Sequence, residues 1–120
     1  MLVTPRDRNL AALLDTAALR ARIHAENIAH QNTPGYRARA VRFEEAFREA
    51  LNRGDMAGAA QVRPEVYEPR STMVNNDGND VSVDREVTLA SQNAVLYNAY
   101  VAILRGRKTL MDTAIGRGGA

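Results

Sequence analysis

The run Ala25-Glu26-Asn27-Ile28-Ala29-His30-Gln31-Asn32-Thr33-Pro34-Gly35-Tyr36 decides the fold. A helical pattern enters this run and cannot continue past it. Pro34 has no N–H to donate and drives Thr33 out of the helical region. Pro-Gly at the centre of a turn suits type II, because Gly35 can take the positive φ required there. Asn27, Ile28, Asn32, Thr33, Pro34, Gly35 and Tyr36 are therefore the candidate turn residues, a helix stop followed by a change of direction.

Upstream, Thr4-Pro5-Arg6-Asp7 reads as a helix start: a capping Thr, Pro at the first helical position and an acid in the first turn. The predicted N-terminal helix spans 5–32, roughly 42 Å of rod at 1.5 Å per residue. Leu10, Leu14, Ala17, Ala21, His24, Ile28 and Gln31 alternate spacings of four and three, the seam of a coiled coil. Leu13 and Ala25 widen that face.

Downstream, 36–41 alternates polar and apolar residues and reads as extended. Phe43, Ala46, Phe47, Ala50 and Leu51 fit one face of a short helix, with Glu44 and Arg48 spaced to pair. Gly54, Gly58, Pro64, Pro69, Gly78 and Asn75-Asn76 make 53–80 read as irregular. Within it, Pro64 to Pro69 reads as an extended arm or strand edge that orders on a partner or wraps along the helices.

Asp80, Ser82 and Asp84 are candidate caps of a last helix over 84–116, roughly 48 Å long. Val87, Ala90, Ala94, Tyr97, Val101, Leu104, Met111 and Ile115 continue the coiled-coil spacing, with Lys108 interrupting it. A second column, Leu89, Leu96, Ile103 and Leu110, repeats every seven residues. Two columns on one helix imply more than one neighbour. Gly106 inside this helix marks either a close helix crossing or a weak point. Gly116, Gly118 and Gly119 read as the helix end and a loose tail. The predicted fold class is all-α. Long N- and C-terminal helices pack as a coiled-coil-like hairpin, around a short helix and an irregular or extended middle at 33–83. The candidate interface residues are Leu10, Leu14, Ile28, Leu96, Tyr97, Val101, Leu104 and Met111.

At 120 residues the chain reads as one domain over 1–120. It has no Trp and only 2 Phe, and much of its 45% hydrophobic content is alanine. Such a composition fills a compact core poorly and suits helices that pack against other chains. The net charge of +2 is too small to demand a polyanionic partner. It is uneven, however: 1–53 carries 9 Arg against 6 acids, 54–86 carries 3 Arg against 7, and 87–120 carries 4 cations against 1 acid. With no cysteine there is neither a disulfide framework nor a thiolate metal site. No apolar stretch approaches the roughly 20 residues of a membrane span. Asp7 and Arg8 interrupt the N-terminus before a signal-peptide core forms, so export would need another route.

Chemistry is sparse. His24 and His30 lie on different faces of one helix and read as one interface and one exposed histidine, not a metal pair. Asp77 to Asp84 fails the calcium-loop pattern and reads as a turn followed by a helix cap. Arg37, Arg39 and Arg42 read as a salt-bridging face, with the acidic middle of another subunit as their partner. No phosphate loop or nucleophile arrangement appears, so no enzyme, catalytic residue, cofactor or metal is expected. Asn27, Asn32, Asn93 and Asn98 are either exposed or paired to set helix register.

Residues 25–36 follow the order Ala-x-Asn-Ile-Ala-x-x-Asn-Thr-Pro-Gly-Tyr, which resembles the N-terminal signature of bacterial flagellar rod and hook proteins. Asp77-Gly78-Asn79-Asp80-Val81-Ser82-Val83-Asp84-Arg85-Glu86 resembles the run before the last helix in proximal members of the basal-body rod family. Arg107-Lys108-Thr109-Leu110-Met111 is similar to a later segment of the same proteins. The resemblance implies a structural subunit of the proximal rod of the flagellar basal body. Such a subunit is part of the drive shaft that transmits torque and encloses the export channel. It also implies type III export without a cleaved signal peptide, and a place in the periplasmic span of the rod. The implied partners are other copies, other proximal rod proteins, the rod–ring adaptor and the flagellar export gate, with no nucleic acid and no membrane span. Another short rod protein of the same axial series is the near alternative. A small basic helical nucleic-acid-binding protein, suggested by an isoelectric point near 9.4, is the rival class. The thin apolar content predicts that the end helices are largely disordered in dilute monomer and order on assembly. Circular dichroism should then show low helicity in dilute solution, and full helicity there would refute the expectation.

Overall fold

The computed structural model describes residues 3–118. The elements run α1 (Pro5–Ala29), β1 (Ala40–Arg42), α2 (Glu44–Asn52), α3 (Met56–Gln61), β2 (Glu65–Tyr67) and α4 (Val83–Gly118). The molecule is a slat of 69 × 29 × 16 Å, its long axis set by the two end helices. At 1.5 Å per residue, α1 is about 37 Å long and α4 about 54 Å.

Helix α1 starts through a complete capping box. The Thr4 hydroxyl accepts the Asp7 N–H, and the Asp7 carboxylate accepts the Thr4 N–H at 2.9 Å. The helix ends at Ala29, short of the expected residue 32, because His30, Gln31 and Asn32 form a turn. Helix α4 begins at Val83, with the Ser82 hydroxyl accepting the Arg85 N–H at 3.4 Å. It continues through Gly116 to Gly118, so Gly116 does not terminate it. Gly119 and the expected tail lie outside the described residues.

The fold is mostly helical with the two long end helices, and its middle adds one small sheet to the helices expected: β1 and β2 pair antiparallel, with Val41 opposite Val66 and Arg42 opposite Glu65. The Arg42 guanidinium lies 4.1 Å from the centre of the Tyr67 ring. One correction concerns 53–80, which holds the helix α3, while β2 falls within the expected extended arm or strand edge at 64–69. Asp55 explains α3. Its carboxylate accepts the Gly58 N–H at 2.8 Å and offsets the glycine's cost near the helix start.

This small lobe holds the apolar core. Phe43, Phe47, Ala50 and Ala59 are buried together, with the two phenyl rings 5.1 Å apart and Ala12 and Leu13 of α1 packed on top. Ala59 is fully enclosed, which only a small residue permits here. Of the face predicted for α2, Ala46 and Leu51 stay exposed. Glu44 does not pair with Arg48. It turns to Arg20 of α1, whose guanidinium also donates to the Val41 carbonyl at 3.0 Å and so ties α1 to β1 and α2.

Helices α1 and α4 run antiparallel, shown by three cross-helix contacts. His24 meets Glu86 at 2.6 Å, the Asn93 amide donates to the Ala17 carbonyl at 2.8 Å, and Arg107 donates to Asp7 at 2.6 Å and Thr4 at 3.0 Å. The α4 members are seven and then fourteen residues apart. The Arg107 hydrogen bond, joined by the capping box, holds the Asp7 carboxyl well below the usual carboxylate range. The last residues of α4 overhang the start of α1.

The Phe43 side chain is almost entirely enclosed. Phe43→Ala should cost about 3–5 kcal/mol. A shift below about 1 kcal/mol in urea unfolding would contradict the placement of the core in this lobe.

Candidate functional site: the polar knot and the outward face of the last helix

The two motifs singled out in the sequence form one site. Pro34-Gly35 makes the turn: Gly35 has φ +76°, and the Tyr36 N–H donates to the Thr33 carbonyl at 3.2 Å. Gly78 has φ +85°, and a Cβ there would lie 3.3 Å from the Gly35 Cα, so the two turns meet backbone to backbone. The Gly35 N–H donates to the Asp77 carbonyl at 2.8 Å, and the Asp80 N–H to the Tyr36 carbonyl at 3.3 Å.

Two fully buried asparagines lock this contact. The Asn79 amide donates to the carbonyls of His30 and Thr33, both at 2.8 Å, and its oxygen accepts the Val81 N–H at 2.8 Å. Each of those carbonyls already accepts a turn N–H, from Thr33 and Tyr36, so the amide adds a second hydrogen bond to both and ties the turn after α1 to the segment before α4. The Asn27 amide donates to the Arg39 carbonyl at 2.8 Å, and its oxygen accepts both the Arg39 N–H at 3.0 Å and the Tyr36 hydroxyl at 3.1 Å. One side chain so imitates a strand partner for residue 39. The Asp80 carboxylate accepts the Ala38 N–H at 2.6 Å and faces Arg37 at 3.4 Å. It therefore does not cap α4. Of the other motif residues, Ile28 and Tyr36 are half-buried and Asn32, Thr33, Pro34 and Gly35 are exposed. His30 stacks on Tyr36 with ring centres 4.5 Å apart.

Nor do the arginines after the turn wait for another subunit's acids. Arg37 faces Asp80, Arg39 pairs with Glu26, and Arg42 lies 3.8 Å from Glu65. Among the described residues no cluster of His, Cys, Asp or Glu could hold a metal ion. No described helix is long and apolar enough to cross a membrane.

The predicted α1 seam is buried in part. Leu10, Ala17 and His24 are buried on α1, joined by Asn9, Thr16 and Ile23, whereas Ala21 and Gln31 are exposed and Leu14 is half-buried. On α4, Glu86, Asn93 and Arg107 bond to α1, while Leu89 and Leu96 on one side and Ala90, Ala94 and Tyr97 on the other line grooves shared with α1. Leu96 is 48% exposed, Tyr97 40%, Ile103 54%, Leu104 39% and Leu110 72%, while Val101 and Met111 are half-buried. Sequence reasoning missed Asn79, Asp80 and Glu86 as buried groups. Their one legible signal was the density of short polar residues between Asn75 and Asp84.

No protein-family model matches the chain. Among characterised proteins it is similar to the flagellar basal body rod protein FlgB of Bacillus subtilis (strain 168), 26% identical over 120 residues that cover 92% of this chain and 93% of that protein. FlgB of Escherichia coli (strain K12) is 27% identical over 111 residues, 78% of this chain and 80% of that protein. FlgB of Borrelia hermsii is 28% identical over 108 residues, 75% and 80% respectively.

Asn27→Ala would leave the N–H and C=O of Arg39 without partners at a site closed to water. It should destabilise the chain by about 2–3 kcal/mol. Asn27→Asp should not rescue it, because an oxygen would then face the Arg39 carbonyl. Full stability of either variant in urea would show that the knot carries no such constraint.

Proposed function

We propose that this chain, a FlgB-like flagellar rod protein by its similarities, is a structural subunit of the proximal rod of the bacterial flagellar basal body. The observation that carries this reading is the similarity to FlgB proteins of distantly related bacteria along most of the chain. The exposed apolar side chains of α4 agree with it, because a long helix that is apolar on several sides belongs inside an assembly. The polar knot suits a load-bearing role: it fixes where the chain leaves α1 and where it returns into α4.

In this reading the α1–α4 pair is a coiled-coil-like hairpin, and its outer faces pack against other copies and other proximal rod proteins. Leu10, Leu14 and Ile28 support the hairpin from α1, and Leu96, Tyr97, Val101, Leu104 and Met111 face neighbours from α4. The lobe of α2, α3 and the small sheet touches adjoining subunits, the rod–ring adaptor or the export gate. The packed hairpins transmit torque and enclose the channel. The chain performs no catalysis and needs no cofactor.

Leu96→Glu places a charge at a position that is 48% exposed, at the rim of a groove, while the hydrogen bonds between the helices are made by other residues. The variant should fold normally, fail to enter the rod and abolish swimming in a strain that lacks the wild-type copy. Normal motility with the variant present in isolated basal bodies would count against the reading.

A further inference from the structure

Of the 8 glycines in the chain, only Gly78 follows an aspartate or an asparagine. Asp-Gly is the dipeptide whose own backbone most readily attacks its side chain. Glycine sets no Cβ in the way of the attacking nitrogen and leaves the backbone free to turn. Here the pair lies in the polar knot, with Asp77 exposed and Asn79 and Asp80 buried beside it.

The closed knot restrains both partners of that reaction. The attacking atom is the Gly78 nitrogen, whose proton is donated to the Asn75 carbonyl at 2.9 Å. The atom attacked is the Asp77 Cγ, whose carboxylate instead accepts the Asn79 N–H at 3.0 Å. The peptide between them is held from the other turn. The Asp77 carbonyl accepts the Gly35 N–H at 2.8 Å, and a Cβ on Gly78 would come within 3.3 Å of the Gly35 Cα. Swinging the carboxyl onto the Gly78 nitrogen breaks the bond to Asn79 and takes the nitrogen away from Asn75.

We propose that Asp77 is a site of spontaneous isomerisation to isoaspartate, suppressed while the knot is closed and reactive whenever it is open. In the first step the Gly78 nitrogen bonds to the Asp77 Cγ, and the amide proton leaves with the carboxyl hydroxyl as water. Water then adds to either carbonyl of the succinimide. Opening on one side restores aspartate. Opening on the other runs the main chain through Cβ and Cγ and leaves the α-carboxylate as the side group. Nothing is oxidised or reduced, and the mass is unchanged. The longer path inserts a methylene ahead of Gly78 and displaces the carbonyl that meets Gly35. Asn79 then cannot reach both His30 and Thr33 while Gly78 stays against Gly35. A chain that isomerises while open no longer closes the native knot.

The test compares the purified full chain, held folded by trimethylamine N-oxide, with a synthetic peptide of residues 71–85 in the same buffer. That peptide is also the tryptic fragment that carries the site. Isoaspartate is counted by methyl transfer from labelled S-adenosylmethionine with purified isoaspartyl methyltransferase, and placed by a shift in the fragment's retention at constant mass. The full chain should form it at least about tenfold more slowly than the peptide, the factor that an opening cost of about 1.4 kcal/mol produces. Asn79→Ala should move the chain's rate toward the peptide's, and Asp77→Ala should remove the signal from both. Chain isomerised in urea and returned to the first buffer should unfold at lower urea than unmodified chain. Equal rates in chain and peptide, no isoaspartate in the peptide, a signal that survives Asp77→Ala, or unchanged stability of the isomerised chain would each overturn the proposal.

Discussion

The structure depends on how the turn that ends α1 is held to the segment that leads into α4. The turn closes locally, with the Thr33 N–H on the His30 carbonyl and the Tyr36 N–H on the Thr33 carbonyl. The Asn79 amide, from 49 and 46 residues further along, adds a second proton to the carbonyls of His30 and Thr33. That choice binds the end of α1 to the segment that leads into α4, and so fixes the angle at which α4 departs. Asn27 performs the reciprocal task from within α1 by holding the backbone of residue 39. Two side-chain amides thus replace what would otherwise need a further strand. The exchange suits a chain too poor in large apolar residues to pin its ends by packing.

The division between polar inside and apolar outside follows from the same scarcity. Buried hydrophobic volume is concentrated in the lobe around Phe43 and Phe47. The hydrogen bonds between the end helices run from His24 to Glu86, from Asn93, and from Arg107 to the start of α1, beside the buried Leu10, Ala17 and Ile23. Polar rungs of this kind stabilise little in net terms, but they are strict about alignment. Apolar columns do the opposite: they contribute much and discriminate poorly. The chain spends its specific contacts on itself and leaves its general ones outward, the reverse of a free-standing globular domain.

That reversal explains what was legible in the sequence. The turn at Thr33 to Tyr36 was readable because Pro34 and Gly35 restrict the backbone locally, whatever surrounds them. The two long helices were readable from their periodicity, and their ends shifted only by a few residues where Asn79 and Ser82 intervene. Of the seam between them, Leu10, Ala17 and His24 are buried, whereas Leu96 and Ile103 advertise a partner without saying whether it belongs to the same chain. Buried Asn27 and Asn79 look no different in a sequence from exposed Asn76. Helix α3 was hidden because Gly58 reads as a breaker until Asp55 is seen to cap it. Strand β2 was readable as an extended arm or strand edge between Pro64 and Pro69, but three residues carry no period that names their partner.

The spacing of the rungs has a mechanical meaning. For α4 to slide along α1 by one helical turn, about 5.4 Å, His24, Asn93 and Arg107 would all have to release together, since no single rung can lag behind. Side chains packed by shape alone can creep past one another a rotamer at a time. The pair therefore behaves like a key in a keyway: compliant to bending, where each rung flexes slightly, and stiff to axial shear. Load applied to one helix passes to the other along the whole overlap, and does not accumulate at the turn that joins them.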